Sequence, residues 1–222
     1  VPPTVIQKPD TSTVVVFRTT ADGDSDVLVS GPRTRGSYHP ARPTTACVQV
    51  RLPPGRANAV LGVPASALVD RAIRLSDLWG AAAHRLADEL AHAPDPEVLL
   101  AEALSGPDSD PALTAAMTAL STTARLPEAA TRAGVSERYL RTLFARDVGV
   151  SPKHFARIAR VQRVLSLAGR DSWAAVATRT GYFDQPHMIA DFRAIMGVSP
   201  AAYLTGRIPP ATPCRSLQPA SA

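Results

Sequence analysis

One phrase is written twice in this chain, and no other feature restricts its fold as much. Residues 134–152 read GVSERYLRTLFARDVGVSP, and residues 181–200 read GYFDQPHMIADFRAIMGVSP. Both open on glycine, carry a phenylalanine near the middle and close on Gly-Val-Ser-Pro. Phe144 and Phe192 are 48 apart, as are Gly149 and Gly197, but Gly134 and Gly181 are 47 apart. A duplicated unit with one extra residue in its second turn accounts for these offsets.

Each copy follows a short helical pattern. PEAATRA at 127–133 predicts a helix with Pro127 early in it, and Gly134, lacking a Cβ, lets the chain turn sharply. Ser136 is placed to cap the next helix, on which Leu140, Leu143 and Phe144 recur three to four apart and face inward. In the second copy Ser172 caps WAAVATR at 173–179 and Gly181 makes the turn. Asp184 then caps a helix that runs to about Met196, with Pro186 tolerated in its first turn. Met188, Phe192 and Ile195 form its inward stripe. Helix, glycine turn, helix is the helix-turn-helix pattern, whose second helix enters the major groove. Between the copies SPKHFARIARVQRVLSL at 151–167 predicts a connecting helix. Its stripe is Phe155, Ile158, Val161, Val164 and Leu165, and Lys153, Arg157, Arg160 and Arg163 keep it positive. A rigid connector holds two reading helices at a fixed separation. Successive major-groove windows on one face of a duplex lie roughly 34 Å apart.

Charge divides the chain at the same place. Residues 1–121 hold 10 Lys/Arg against 13 Asp/Glu, and residues 122–222 hold 14 against 6. Such asymmetry predicts two modules, the second suited to a polyanion. No run of 18 apolar residues predicts a membrane span, VPPTVIQKPD lacks the pattern of a signal peptide, and two cysteines make no disulfide framework. The expected location is cytoplasmic.

The first half reads differently. TSTVVVFR at 11–18, DVLVS at 26–30 and ACVQVR at 46–51 predict strands, and GPRTRGSYHPARP at 31–43 predicts turns. PASALVDRAI at 64–73 predicts a short helix. LSDLWGAAAHRLADELA at 75–91 predicts a longer one, capped by Ser76, with Leu78, Ala82, Leu86 and Leu90 buried and His84 and His92 at the surface. Helices at 96–105 and 111–121 follow. The fold class is thus a two-part α+β chain: a small β-rich N-terminal unit with covering helices, then an all-α domain with two helix-turn-helix units joined by a long helix. The boundaries fall at 1–64 for the β-rich part, 65–121 for the helical part and linker, 122–207 for the double helix-turn-helix domain, and 208–222 for a Pro/Ala/Ser tail.

From about Leu126 to Leu204 the chain resembles the C-terminal DNA-binding domain of AraC/XylS-type bacterial transcription regulators. The resemblance rests on Gly134-Val-Ser, Leu140, Phe144, Gly149-Val-Ser-Pro, Ala177, Gly181-Tyr, Asp184-Gln185, Phe192 and Gly197-Val-Ser-Pro-Ala-Ala-Tyr203. It implies a seven-helix domain. From Lys8 to Gly80, with Pro9-Asp10, Ser30-Gly-Pro, Leu52-Pro-Pro-Gly, Leu61-Gly-Val-Pro and Leu78-Trp-Gly, the chain resembles the accessory half of an actinobacterial branch of these regulators. That half extends further upstream in relatives, and the resemblance implies a small-molecule effector or dimerisation role for it. Double-stranded DNA, RNA polymerase and a second copy are the partners the resemblance implies.

By the same resemblance the base-reading positions are Arg138, Arg141 and Thr142 on the first reading helix and Gln185, Pro186 and Ala190 on the second. Relatives carry arginine where this chain has Thr142 and Ala190, and arginine is the usual bidentate reader of guanine. Base reading then falls on Arg138, Arg141 and Gln185. Lys153, Arg160, Arg163, His187 and Arg193 are the candidates for the DNA backbone. Trp173 is expected to pack.

Rival readings have weaker support in the residues. Asp22, Asp24, Asp26 and His39 resemble the start of a metal loop, but position twelve of a calcium loop would need a glutamate that is absent. No glycine-rich phosphate loop, HExxH or GxSxG is present, so no enzyme, no cofactor and no metal is expected. The alternative that the residues leave open is a protein-interaction or dimerisation module with weak or non-specific DNA binding.

Overall fold

In a computed structural model of the chain, the described residues are 4–19, 23–40, 46–122 and 125–211. Asp22, Cys214 and the tail from residue 212 lie outside them. The first half is built on β2, Thr13–Thr19, whose β-branched run alternates between two faces. Val15 and Phe17 are buried, while Val14 and Val16 point to the other side. β2 is flanked antiparallel by β3, Ser25–Ser30, and β5, Ala46–Leu52. A three-residue strand, β6, Ala72–Arg74, completes the order β5-β2-β3-β6. A separate ribbon pairs β1, Thr4–Gln7, with β4, Ser37–Pro40.

The long helix expected over 75–91 is two helices. α1, Ala57–Leu61, precedes them, inside the segment read as β-rich. α2 is Ser76–Trp79 and α3 is Ala81–His92, and between them Gly80 sits at φ +55°. That backbone suits glycine and stops the first helix. Ser76 lies inside α2 rather than capping it, since Leu75 occupies the cap. The break resets the phase, so the buried stripe of α3 is Ala83, Leu86, Ala87 and Leu90, and Ala82 is exposed. His84 and His92 are at the surface. α4, Pro96–Ala103, is capped by Asp95 and joins α3 in covering the sheet.

The helix expected over 64–73 is also corrected. Ala65–Leu68 is a single 3-10 turn, residues 69–71 turn the chain, and β6 begins at Ala72. Asp70 causes the change. Its φ is +55°, its N–H donates to the Pro32 carbonyl at 2.8 Å, and its carboxylate accepts the Thr34 N–H at 2.7 Å. These long-range bonds turn the chain so that Ile73 lies beside Val29. They outweigh a local helical preference worth a few tenths of a kcal/mol per residue, roughly.

The second half follows the periodicity of its sequence. α5, Pro111–Leu120, is capped by Asp110, and α6 is Leu126–Arg132. α7, Glu137–Leu143, continues into a π-helical turn, Phe144–Val148. α8, Pro152–Leu167, is the 16-residue connector. α9, Trp173–Arg179, α10, Gln185–Met196, and α11, Pro200–Leu204, complete it. Each Gly-Val-Ser-Pro phrase ends one helix and starts the next. Ser151 accepts the His154 N–H at 3.2 Å, Ser199 accepts the Ala202 N–H at 3.3 Å, and Pro152 and Pro200 take the first helical position. Each such cap contributes about 1 kcal/mol.

Among the described residues, three apolar cores result. The first lies between the four-stranded sheet and α3–α4. The second gathers α5, α6, α7 and Phe155, with Phe144 and Phe155 edge-to-face at 5.5 Å. The third gathers α9, α10 and three residues of α8: Ile158, Val161 and Val164. One helix therefore contributes to two cores. Its stripe changes core between Phe155 and Ile158, which makes α8 a shared spine rather than a tether. Among the described residues, no helix is long and apolar enough to cross a membrane.

Candidate nucleic-acid interface

The two copies of the phrase fold alike. In the first, Gly134 turns the chain at φ +67° and the Ser136 hydroxyl accepts the Tyr139 N–H at 3.2 Å. In the second, Gly181 turns it at φ +78° and the Asp184 carboxylate accepts the His187 N–H at 2.7 Å. Four residues, 133–136, separate α6 from α7, and five, 180–184, separate α9 from α10. Val135 and Tyr182 both follow the glycine and turn inward, and Ser136 and Asp184 both cap. The extra residue is therefore Phe183. It is 93% exposed.

The apolar stripes hold α7 and α10 down. Leu140, Leu143 and Phe144 are buried on the first, and Met188, Phe192, Ile195 and Met196 on the second. Arg138, Arg141 and Thr142 are left exposed on the outer face of α7, as are Pro186, His187, Ala190 and Arg193 on α10, and Gln185 is half-buried. Arg141 is held by Glu137 at 2.7 Å, one helical turn away. The Thr142 hydroxyl donates to the Arg138 carbonyl at 3.2 Å.

On the connector the basic residues divide by partner. Arg157 binds the Asp191 carboxylate at 2.6 Å, and Asp191 also accepts the Tyr182 hydroxyl at 3.0 Å. This chain of contacts ties α8 to α10 and its turn. Burial, then the neighbouring Asp191 carboxylate, pushes the Tyr182 phenol well above its ordinary value, so it stays a donor. Arg163 donates to the main-chain carbonyls of Thr122 at 3.0 Å and Thr180 at 3.1 Å, an internal tie between the units that sequence alone did not reveal. Arg160 lies over the Tyr182 ring, 5.0 Å from its centroid. Lys153 is exposed. Lys153, Arg160 and His187 come together around a cleft of about 710 Å³ between the two units, with Arg125 and Phe183 on its rim. Arg193 is not among its lining residues.

The N-terminal half touches the C-terminal end of α10 and the π-helical turn that follows α7. The Gly36 N–H donates to the Ile195 carbonyl at 2.9 Å and the Tyr38 hydroxyl to the Met196 carbonyl at 2.6 Å. The Gly55 N–H donates to the Asp147 carbonyl at 3.0 Å, and the Asn58 amide to the Asp147 carboxylate at 3.3 Å. These are C-terminal ends, so the exposed N-terminal turns remain open. A second cavity, about 550 Å³, lies between the outer face of β2 and α8. Lys8, Arg33, Arg51 and Asp10 line it, with Gln162 and Leu165 from the connector, and Asp10 pairs with both arginines. Asp26, one of the carboxylates considered for a metal, binds Arg18 at 2.7 Å.

Residues 129–206 match a family model described as a helix-turn-helix domain. Among solved structures, the chain is similar to the DNA-binding domain of AdpA in complex with a target DNA, with 29% identity over 44% of this chain and 93% of that one, at TM-score 0.40. It is similar to an AraC-type transcriptional regulator from Chromobacterium violaceum, with 23% identity over 46% of this chain and 96% of that one, at TM-score 0.41. ToxT from Vibrio cholerae is similar along 91% of this chain and 93% of its own, with 11% identity and TM-score 0.47. No curated protein sequence matches the chain.

Proposed function

With a helix-turn-helix domain of the AraC type at residues 129–206 as the premise, we propose that this chain is a sequence-specific DNA-binding transcriptional regulator that reads two successive major-groove segments. The observation that carries the reading is the spine. Two reading helices with exposed N-terminal turns are packed on one 16-residue helix that belongs to both cores. Their separation is thereby fixed, as phased reading of a duplex needs. Arg138, Arg141 and Gln185 read base edges, and Lys153, Arg160, His187 and Arg193 meet phosphates. Arg163 acts indirectly, by holding the units together. No chemistry is done on the DNA.

The N-terminal half is the accessory unit of this reading. The 550 Å³ cavity is the place for a small-molecule effector, because a ligand there touches both the sheet and the connector. RNA polymerase and a second copy of the chain are further partners of the reading.

Selection of bound fragments from genomic DNA with the purified chain tests it. The expected product is a motif near two helical turns, roughly 20 base pairs. Salt-steep binding without a motif would instead support the second reading, an interaction or dimerisation module with non-specific DNA binding. Exposed Thr142 and Ala190, which offer no guanidinium to a groove, are the observation that favours it.

A further inference from the structure

The extra residue of the second turn has no structural use. The chain has five phenylalanines. Phe17, Phe144, Phe155 and Phe192 are each 7% exposed or less, and each belongs to a core. Phe183 is 93% exposed. The turn does not need its side chain, because Tyr182 supplies the inward anchor and Asp184 the cap. An exposed phenyl ring is unfavourable in water, and it gains by covering itself on a partner.

Its surroundings say which partner. Phe183 lines the cleft between the two helix-turn-helix units together with Arg125, Lys153, Arg160 and His187. No carboxylate is among the described lining residues. Three carboxylates bond to lining residues and each is occupied: Asp184 accepts the His187 N–H, Asp191 the Tyr182 hydroxyl and Glu128 the Arg125 N–H. Arg160 has no ion pair among the described residues, and its guanidinium is positioned by the Tyr182 ring below it. Three permanent cations around an apolar surface match a polyanion that also offers apolar patches. The sugar–phosphate backbone of a duplex is such a partner: deoxyribose carbons lie between its phosphates.

We propose that this cleft seats the DNA backbone between the two reading segments, with Phe183 packed on deoxyribose and Lys153 and Arg160 on the flanking phosphates. The proposal rests on the DNA-binding reading and adds a non-ionic contact to it. Because every nucleotide carries the same sugar, the contact strengthens binding without choosing a base.

Salt dependence separates this contact from the ionic ones. Each phosphate contact contributes about 0.9 to the slope of log K against log salt. The experiment titrates a duplex selected by the full-length protein with wild type, Phe183→Ala, Phe183→Leu and Arg160→Ala over a range of salt concentrations. Phe183→Ala is expected to bind about tenfold more weakly at every salt concentration, with the slope unchanged. Phe183→Leu should recover part of the loss. Arg160→Ala should flatten the slope by about 0.9. Thermal unfolding of Phe183→Ala should match wild type, since the ring packs on nothing in the free protein. Wild-type affinity in Phe183→Ala alongside weakened Arg160→Ala overturns the proposal and leaves the DNA-binding reading standing. A flattened slope in Phe183→Ala, or a lowered melting temperature, also overturns it. Absence of duplex binding by the wild type at low salt overturns both.

Discussion

The phenol of Tyr38 donates a 2.6 Å hydrogen bond to the main-chain carbonyl of Met196, the last residue of α10. The two residues are 158 apart in sequence. Tyr38 is buried, and burial raises its phenol above the ordinary value, so it remains a donor at neutral pH. Its strand partner β1 and the end of α10 are thus joined through one side chain. Tyr38→Phe keeps the ring and removes the donor, leaving a helix-end carbonyl short of a partner. The expected loss is about 1–2 kcal/mol, read as a lower urea midpoint with an unchanged slope. An unchanged midpoint would mean that water replaces the phenol without cost.

Arg141 and Lys153 should separate reading from holding. Arg141 is exposed and loosely fixed by Glu137, an exposed pair that contributes about 0.3–0.5 kcal/mol to folding. Arg141→Ala should therefore barely change the melting temperature. It should reduce discrimination at one base step by about 1–3 kcal/mol. Lys153→Ala should weaken all sequences alike and flatten the salt slope by about 0.9. Competition binding against single-base variants of a selected site gives both answers. Uniform weakening by Arg141→Ala would remove it from the base-reading set.

Asp191 joins three elements, since it accepts from Arg157 on α8 and from Tyr182 in the turn while sitting on α10. Its side chain is 8% exposed. Asp191→Asn leaves the Arg157 charge without its carboxylate; because Arg157 is itself 32% exposed, the expected loss is about 1–3 kcal/mol rather than the full cost of stranding a buried charge. Urea unfolding is the measurement. If Asp191→Asn and the double variant with Arg157→Met unfold at the same midpoint, charge isolation is not the cause.

The second half was legible because its signals are local. Ser136, Ser151, Ser172 and Asp184 each cap the helix that begins directly after them, and the apolar stripes recur at helical spacing. The one-residue offset between the glycines correctly placed an extra residue in the second turn. In the first half the deciding contacts are distant. Tyr38 lies in a stretch dense in turn formers and becomes a strand because β1, some thirty residues away, pairs with it. Asp70 ends a helical pattern through bonds to Pro32 and Thr34. Gly80 did carry a local signal, a glycine inside a helical run, and the expected continuous helix passed over it. Arg163 looks in sequence like Arg160, and only the positions of the Thr122 and Thr180 carbonyls distinguish the two.

His154 gives the fold a dependence on pH. Burial first, then the Arg157 charge, holds its imidazole below the ordinary value, while the Thr34 carbonyl, Asp70 and Asp191 oppose the shift. A depressed folded value means that the unfolded chain takes up the proton first. The stability is fully present above the unfolded value of about 6.5 and is lost as pH falls below it toward the folded value. Urea midpoints should drop between about pH 7.5 and pH 5.5, and His154→Gln should flatten that drop. A midpoint that rises on acidification would reverse the sign and exclude His154 as its source.

Gly149 and Gly134 end helices in the same left-handed backbone region, yet their surroundings differ. Gly149 has φ +83° and Gly134 has φ +67°. A Cβ at Gly149 would lie 2.8 Å from the Ala65 carbonyl oxygen and 2.8 Å from a methyl of Val69, whereas one at Gly134 meets nothing within 4 Å. Both alanine variants carry the left-handed penalty of about 1–2 kcal/mol. Only Gly149→Ala also drives a methyl into the 3-10 turn of the N-terminal half, an overpacking cost of about 1–3 kcal/mol more. The melting temperature of Gly149→Ala should therefore fall clearly below that of Gly134→Ala. The surplus loss should appear as faster amide exchange at residues 65–69. Equal losses in the two variants would mean that the N-terminal half yields at this contact without cost, and that its hold on the end of α7 rests on Gly55 and Asn58 instead.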